Sequence, residues 1–465
     1  VEILDAEAEG LTIEETAKRI IEAKPRLAAF CIYGQQPSAS TQCMPAAAKV
    51  TAMVKEASNI PTLALGTHPS AMPEQTLQEE PFDYVCQGEG PYVIAAVLRG
   101  LIEANKKEAA SRTTFFAYDF QWPMGLWCLN NGSVGRSSFS SPNVKDLDKE
   151  LPGQAWQLLD MKKYRAHNWH LFSGNKDGGY ASIQTSLGCS FSCRFCCINT
   201  PFGGPGYRMW SPANVAAQIH RLVHEYGITN IKIADEMFVL NRQHVHQICN
   251  MLIDMKLGDK LNIWAYARVD TIKDEALLAH MRKAGIRWLG IGIESSSKHV
   301  RDGVEKGKFT DEDIVKAVER VRGHGIAVAA NYIFGLGDDT TQTMQQTLDL
   351  AVELNTPWAN FYCAMAYPGS QLHYQAKMQG WRLPEDPGGP GWIGYSQSNY
   401  ETFPLASGSL SAAEILQFRD KAFYYYFSRS CYQDMLEKKF GWPAVKDVEL
   451  MVAIPPLRRK LLEEK

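Results

Sequence analysis

From residue 180 onward, strand-length apolar runs alternate with amphipathic helical stretches six times, a rhythm that few folds can satisfy. The strands are ASIQTS (181–186), NIKIADE (230–236), LNIWAYARVD (261–270), IRWLGIGIES (286–295), IAVAANYIFGLG (326–337) and WANFYCAMAY (358–367). The helices between them have readable starts: Ser211-Pro212 opens the first, and Thr310 caps the one over Asp311 to Gly323. Strands joined by helices imply parallel pairing buried on both faces, and six such units make a partial (β/α)6 barrel of the TIM type. Such barrels place their chemistry at the carboxyl ends of the strands.

A second alternation occupies residues 1–105. VEILDA (1–6) reads as a strand, LTIEETAKRIIEAK (11–24) as a helix capped by Thr12, and LAAFCIYG (27–34) as a buried strand. A helix over Met44 to Ala57, TLALG (62–66), DYVCQGEG (83–90) and a helix from Tyr92 to Glu103 complete a doubly wound, Rossmann-like α/β sheet. Its ligand is expected beyond the strand ends, at Tyr33 to Thr41, Gly66-Thr67-His68 and Gly88-Glu89-Gly90. Residues 106–178 read as a connector, with an Asn131-Gly132 hairpin signal between GLWCL and SVGRS. Trp156, Tyr164, Trp169 and Phe172 in this stretch are candidates for a substrate channel, but a stripe of aromatics is more often packing between domains, which is the favoured reading. The barrel is assigned 179–379, and 380–465 reads as a helical C-terminal region after the loop LPEDPGGPGW.

The chain of 465 residues carries a net charge of −3, which gives no electrostatic basis for nucleic acid or an anionic membrane surface. No apolar run reaches the length of a membrane span. Eleven cysteines concentrated around one loop point to a reducing, cytoplasmic setting and a metal site, not a disulfide framework. Cys31, inside a strand, is expected to be a small core residue.

The concentrated cysteines lie in TSLGCSFSCRFCCINTPFGGPGYRMW (185–210), where Cys189, Cys193 and Cys196 form C-x3-C-x2-C and Cys197 follows. Three soft thiolates in an irregular loop can face one centre and leave a coordination position open, which suits an iron-sulfur cluster better than a structural zinc. Zinc stays open as the minor reading, with Cys197 as a fourth ligand, although adjacent cysteines point apart.

With Phe195 immediately before the third cysteine, this loop resembles the radical S-adenosylmethionine (SAM) superfamily. The resemblance implies that Cys189, Cys193 and Cys196 bind a [4Fe-4S] cluster whose open iron chelates SAM, and that reductive cleavage yields methionine and a 5'-deoxyadenosyl radical. It also implies roles at the strand ends: Asp235 and Glu236 near the SAM ammonium, Arg268 at its carboxylate, and Glu294 at the ribose hydroxyls. Gly335 and Gly337 would let backbone approach the adenine, with Phe195 packed nearby. Gly203-Gly204 and Arg208, beyond the cluster, are read as shaping the loop.

VEILDAEAEGLT, the turn GTHPSAMPE and QGEGP resemble the domain that precedes the barrel in the cobalamin (B12)-dependent branch of that superfamily. The implied cobalamin contacts are Gly66, Thr67, His68, Gly88, Glu89 and Gly90, with a surface-turn histidine as the equal alternative for His68. The family's domain has a further strand and helix before the position of Val1, so the sheet is expected to lack its first unit. No D-x-H-x-x-G occurs, which implies cobalamin without a lower axial histidine.

The implied activity is methyl transfer to an unactivated carbon, with the [4Fe-4S] cluster, SAM and cobalamin as cofactors. The expected partners are a small-molecule or biosynthetic-intermediate substrate and an electron donor such as flavodoxin or ferredoxin. Rearrangement or cyclisation without methyl transfer is the second reading. A methylthiotransferase would need Cys31, Cys43 and Cys86 as an auxiliary cluster site and ranks low. A non-catalytic metal-binding relic is the reading from another class.

Overall fold

The computed structural model describes residues 1–34, 36–107, 123–130, 133–137, 140–174, 176–307 and 309–463. The chain forms two main sheets. The first contains β1 (Ala28–Ile32), β2 (Thr62–Gly66), β3 (Tyr84–Cys86), β4 (Leu126–Asn130) and β5 (Ser133–Arg136), in that spatial order. β1, β2 and β3 run parallel, and β4 and β5 add to them as an antiparallel hairpin, so this part of the connecting stretch extends the first sheet. The Asn131-Gly132 turn itself lies outside the described residues.

Two readings of the first region need correction. VEILDA is not a strand: Ala6–Glu9 form a short helix, whose start is fixed by Asp5 accepting from the Ala8 N–H at 3.1 Å. A side-chain cap offered the backbone a local alternative to pairing. β1, the edge strand, is not buried throughout, because Ala29 and Cys31 are exposed. Cys31 is therefore not a core residue; it lines a cavity described below.

After a two-stranded pair, β7 (Ser186–Leu187) with β8 (Arg208–Met209), comes the main sheet of the barrel. It contains β6 (Tyr180–Ile183), β9 (Asn230–Ile233), β10 (Asn262–Arg268), β11 (Ile286–Glu294), β12 (Ala327–Phe334) and β13 (Trp358–Cys363), all parallel, in the order β13-β12-β11-β10-β9-β6. This is the expected six-stranded partial barrel. Its outer face is buried under helices whose apolar stripes include Val215, Ile219, Ile248, Leu278, Val318 and Leu348. Its inner face is partly accessible at alternate positions, notably Ser182, Lys232, Tyr266, Asn331, Asn360 and Tyr362. Period-two alternation puts these polar groups into the lumen while their neighbours fill the core.

The connector closes the amino-terminal end of this lumen. Trp169 is 8% exposed and sits 5.1 Å from both Trp264 and Trp288, centroid to centroid. Next to it, His170 Nε2 meets the Asn262 carbonyl at 2.8 Å, and Asn262 returns a hydrogen bond to the His170 carbonyl at 2.9 Å. The helices Ala412–Phe427, Ser430–Phe440 and Trp442–Ala453 form the C-terminal region. They are pinned to the last strand by Tyr426 and Tyr432, which donate to the carbonyls of Thr356 and Pro357.

Candidate active site

The cysteine loop is held from both ends. Asp235, just beyond β9 and 1% exposed, accepts from the Thr185 N–H at 2.6 Å and from the hydroxyls of Thr185 and Ser186 at 2.5 and 2.6 Å. Burial pushes this carboxyl upward, and those three donors oppose the shift. Asp235 thus anchors the start of the loop. Asn199 clamps its middle, accepting from the Cys189 N–H and donating to the Phe191 carbonyl, both at 3.0 Å. The tip is tied to two barrel loops, with the Arg194 N–H donating to Val304 O and the Leu372 N–H donating to Arg194 O. Asn199 was not singled out from the sequence, since an asparagine three places after Cys196 carries no spacing signal.

Cys189 and Cys197 are buried, Cys193 is half-buried and Cys196 keeps an exposed surface. Although part of Cys196 is exposed, loss of water around its sulfur and then the adjacent Cys197 push it well above the ordinary cysteine range, with Glu236 and Cys193 adding to the rise, and at Cys189 burial and then Cys193 act in the same sense. Cys193 therefore lies within the electrostatic reach of both Cys189 and Cys196. Among the described residues, no three His, Cys, Asp or Glu side chains gather closely enough to hold a single metal ion. Three thiols on one loop are the donor set that an iron-sulfur cluster uses, so the residue chemistry fits that group.

Arg268, ending β10, lies over the Phe191 ring with its guanidinium carbon 3.8 Å from the centroid, and donates to Cys193 Sγ at 3.6 Å. Its fork also grips Asp270 at 3.0 and 3.1 Å and donates to the Lys306 carbonyl. Glu294 ends β11 with φ +65°, where the register against β12 slips, and it pairs with Lys306 Nζ at 2.6 Å. A non-glycine residue held in this left-handed region is a mark of local strain maintained by its surroundings. Phe195 packs among Val300, Val304, Leu336 and Ala364. Gly335 hands its N–H to Asp339 and is pressed against Ile415, whereas the space a Cβ on Gly337 would enter is open.

Glu236, half-buried, stands between the two halves of the molecule. Burial, and then Asp235, push its carboxyl up to about 8, with Lys232 opposing. Its charge reaches Cys196 and Cys197 in the loop, Tyr266 in the barrel and Tyr33 at the end of the first sheet.

A cavity of about 400 Å³ separates the first sheet from the barrel. Cys31, Tyr33, Gly66, Gly88, Glu89 and Gly90 line one wall, Phe202 and Trp210 the other, with the amides of Gln154, Gln184 and Gln218 between. Gly66, at φ +137°, has no room for a Cβ, which would collide with the Ile32 carbonyl. A glycine wall facing aromatic rings, fringed by amides, fits the face of a flat, amide-bearing macrocycle. Thr67 and His68 stand outside this lining. The surface-turn reading of His68 is overturned: it is 1% exposed, its Nδ1 meets Thr41 Oγ1 at 3.2 Å, its ring lies 4.5 Å from Trp392, and burial pushes its pKa down to about 3. Glu89 turns across the cavity to Arg208 at 2.7 Å and accepts from the Val144 N–H at 2.5 Å.

A partial parallel barrel with a three-thiol loop at its strand ends, facing an α/β sheet across a cavity, defines an enzyme class that couples two cofactor sites. Residues 183–351 match the radical SAM superfamily and residues 1–98 match the B12 binding domain. The chain thus carries a radical SAM domain preceded by a B12-binding domain. An uncharacterized methyltransferase from Pyrococcus horikoshii is 28% identical over 375 residues, 80% of this chain and 74% of the relative. The anaerobic magnesium-protoporphyrin IX monomethyl ester cyclase of Rubrivivax gelatinosus is 27% identical over 373 residues; the match covers 79% of this chain and 61% of the cyclase. The fold is shared with the radical SAM methyltransferase TsrM from Kitasatospora setae, solved with cobalamin and a [4Fe-4S] cluster (TM-score 0.66, 15% identity, 93% of this chain and 84% of that one). It is also shared with the cobalamin-dependent radical enzyme OxsB (TM-score 0.61, 16% identity, 97% of this chain and 66% of that one).

Proposed function

We propose that this protein is a cobalamin-dependent methyltransferase acting on an unactivated carbon. The observation that carries the reading is the approach of the two halves to one another: Tyr33, which lines the cavity at the end of the first sheet, lies within the electrostatic reach of Glu236 from the barrel and Cys196 from the loop. Cys189, Cys193 and Cys196 would hold the cluster, and Glu236, Arg268, Glu294 and Gly337 would surround SAM. Gly66, Gly88 and Gly90 would receive cobalamin. Bound there, the cluster and SAM supply one-electron cleavage to a 5'-deoxyadenosyl radical, and cobalamin supplies a methyl carrier. The chain's own contribution is to orient: Arg268 donates to the Cys193 sulfur, Asp235 fixes the loop, and the aromatic floor at Trp169 shuts the far end of the lumen. Among the described residues, no helix is long and apolar enough to cross a membrane. All eleven cysteines are free, which supports a cytoplasmic enzyme served by a flavodoxin- or ferredoxin-type electron donor.

The similarity to the magnesium-protoporphyrin ester cyclase favours a second reading, ring closure without methyl transfer. One experiment separates the two. Reconstituted protein is incubated anaerobically with SAM, a strong reductant and hydroxocobalamin, and 5'-deoxyadenosine and S-adenosylhomocysteine are quantified. Both products are expected; deoxyadenosine alone supports the second reading, and neither product from protein with a full cluster overturns both. Cys193→Ala should lose at least a hundredfold of deoxyadenosine formation, while Cys197→Ala keeps its iron and sulfide. Equal loss in the two variants would overturn the ligand assignment.

A further inference from the structure

Lys306 is 7% exposed, in the short segment between the helix Lys298–Gly303 and the helix Asp311–Gly323. An ammonium so deeply placed needs a reason, because its desolvation is costly and a neutral side chain could fill the same volume. The segment is bound twice to the cysteine loop, at Arg194, and once to the end of β10, at Arg268. The Val304 carbonyl accepts from the Arg194 N–H at 3.0 Å, the Glu305 carboxylate meets the Arg194 side chain at 3.2 Å, and the Lys306 carbonyl accepts from Arg268. Gly307, at φ +142°, lets this last contact form, since a Cβ there would lie 2.6 Å from Arg268 Nη2. The Lys306 ammonium is held by Glu294 at 2.6 Å and stands 6.0 Å from the centroid of the Phe195 ring. Cys193 and Arg268 are both within its electrostatic reach. Two cations thus act on one cysteine, and Arg268 already donates to its sulfur.

We propose that Lys306 is a positioning residue of the cluster site, whose fixed positive charge, added to that of Arg268 beside Cys193, raises the reduction potential of the cluster those cysteines bind. This rests on the cluster assignment made above. The physical reason is that reduction adds an electron to an anionic thiolate-bound centre, so nearby positive charge stabilises the reduced form; net charge and hydrogen bonds to sulfur are established determinants of such potentials. Glu294 acts in the opposite sense, as the anion that holds the ammonium in place and partly cancels it.

The test is a potentiometric titration of the reconstituted full-length protein, without SAM, followed by electron paramagnetic resonance of the reduced cluster. Lys306→Met should lower the ratio of reduced to oxidised cluster about tenfold at a fixed poise, about 59 mV for a one-electron couple. Lys306→Arg should restore the ratio to within about threefold of the parent. Glu294→Gln should move it in the other direction. A purely structural role predicts no such pair of opposite shifts. A Lys306→Met protein with full iron and sulfide and an unchanged midpoint would overturn the proposal, as would shifts of the same sign in Lys306→Met and Glu294→Gln. If Lys306→Met does not assemble a cluster, Glu294→Gln decides alone: an upward shift supports the proposal and no shift overturns it. Parent protein that holds no iron and sulfide after reconstitution would instead overturn the cluster assignment itself.

Discussion

At Glu236 the surroundings turn an ordinary carboxyl into one that titrates near neutral pH. Its value rises from 4.5 to about 8 because burial disfavours the charged form and Asp235 adds like charge. Below pH 4.5 the folded and unfolded states both carry the proton, so this residue costs nothing. Between 4.5 and 8 the unfolded chain releases its proton while the folded one keeps it, so stability falls as pH rises, and above 8 the cost is complete. Glu236→Gln should therefore be more stable than the parent at pH 7 and 9 but not at pH 4. Urea midpoints of the cofactor-free protein at those three values would show it, and a gap independent of pH would contradict the account. The neighbouring Asp235 behaves differently because three donors satisfy it. Sequence placed both acids at one strand end; which of them is tied to the loop and which faces the interior depends on Thr185 and Ser186, some fifty positions away.

Among the elements, those with local signals were legible. The capping box at Thr310 with Asp313, the Ser211 cap ahead of Pro212 and the Ser370 cap are all present in the structure. Less legible was the turn between β11 and the helix Asp311–Gly323, which reads as an unremarkable polar stretch. Arg301 organises it. This arginine is fully buried and donates to the carbonyls of Ser295 and Ser296 at 2.6 Å and of Phe309 at 2.7 Å. Arg301→Met would leave those carbonyls without their donor, and each buried hydrogen bond to a charged group is worth about 1.5–3 kcal/mol. A loss of about 3 kcal/mol in urea unfolding is expected, together with poorer iron incorporation, because this turn leads into the Lys306 segment. A change below about 1 kcal/mol would mean that the turn holds its shape without Arg301.

Across the whole molecule, the join between the two sheets rests on a partly buried ion pair. Glu89 and Arg208 meet at 2.7 Å with side chains 9% and 22% exposed. Arg208 also donates to the Val144 carbonyl and so ties the strand that closes the cysteine loop to both the first sheet and the connector. Removing one partner of such a pair strands a charge, at about 3 kcal/mol or more. Arg208→Met should split a single calorimetric unfolding transition into two, with the earlier one assigned to the first sheet. One undivided transition at the parent's temperature would show that the cavity faces are held by other contacts.

The sequence by itself determined the six-stranded parallel barrel, the α/β character of the N-terminal region and the thiol loop, because period, caps and cysteine spacing are local properties of neighbouring residues. It misplaced VEILDA and Cys31, where a cap at Asp5 and an edge position open to a cavity overrode the apolar pattern. Only the tertiary structure decided that Glu89 reaches Arg208, that His68 is buried against Trp392, and that Lys306 stands at the cluster loop. Each of these depends on side chains far apart in the chain. Their charge, burial and partners come into being when the two sheets and their connector pack against one another.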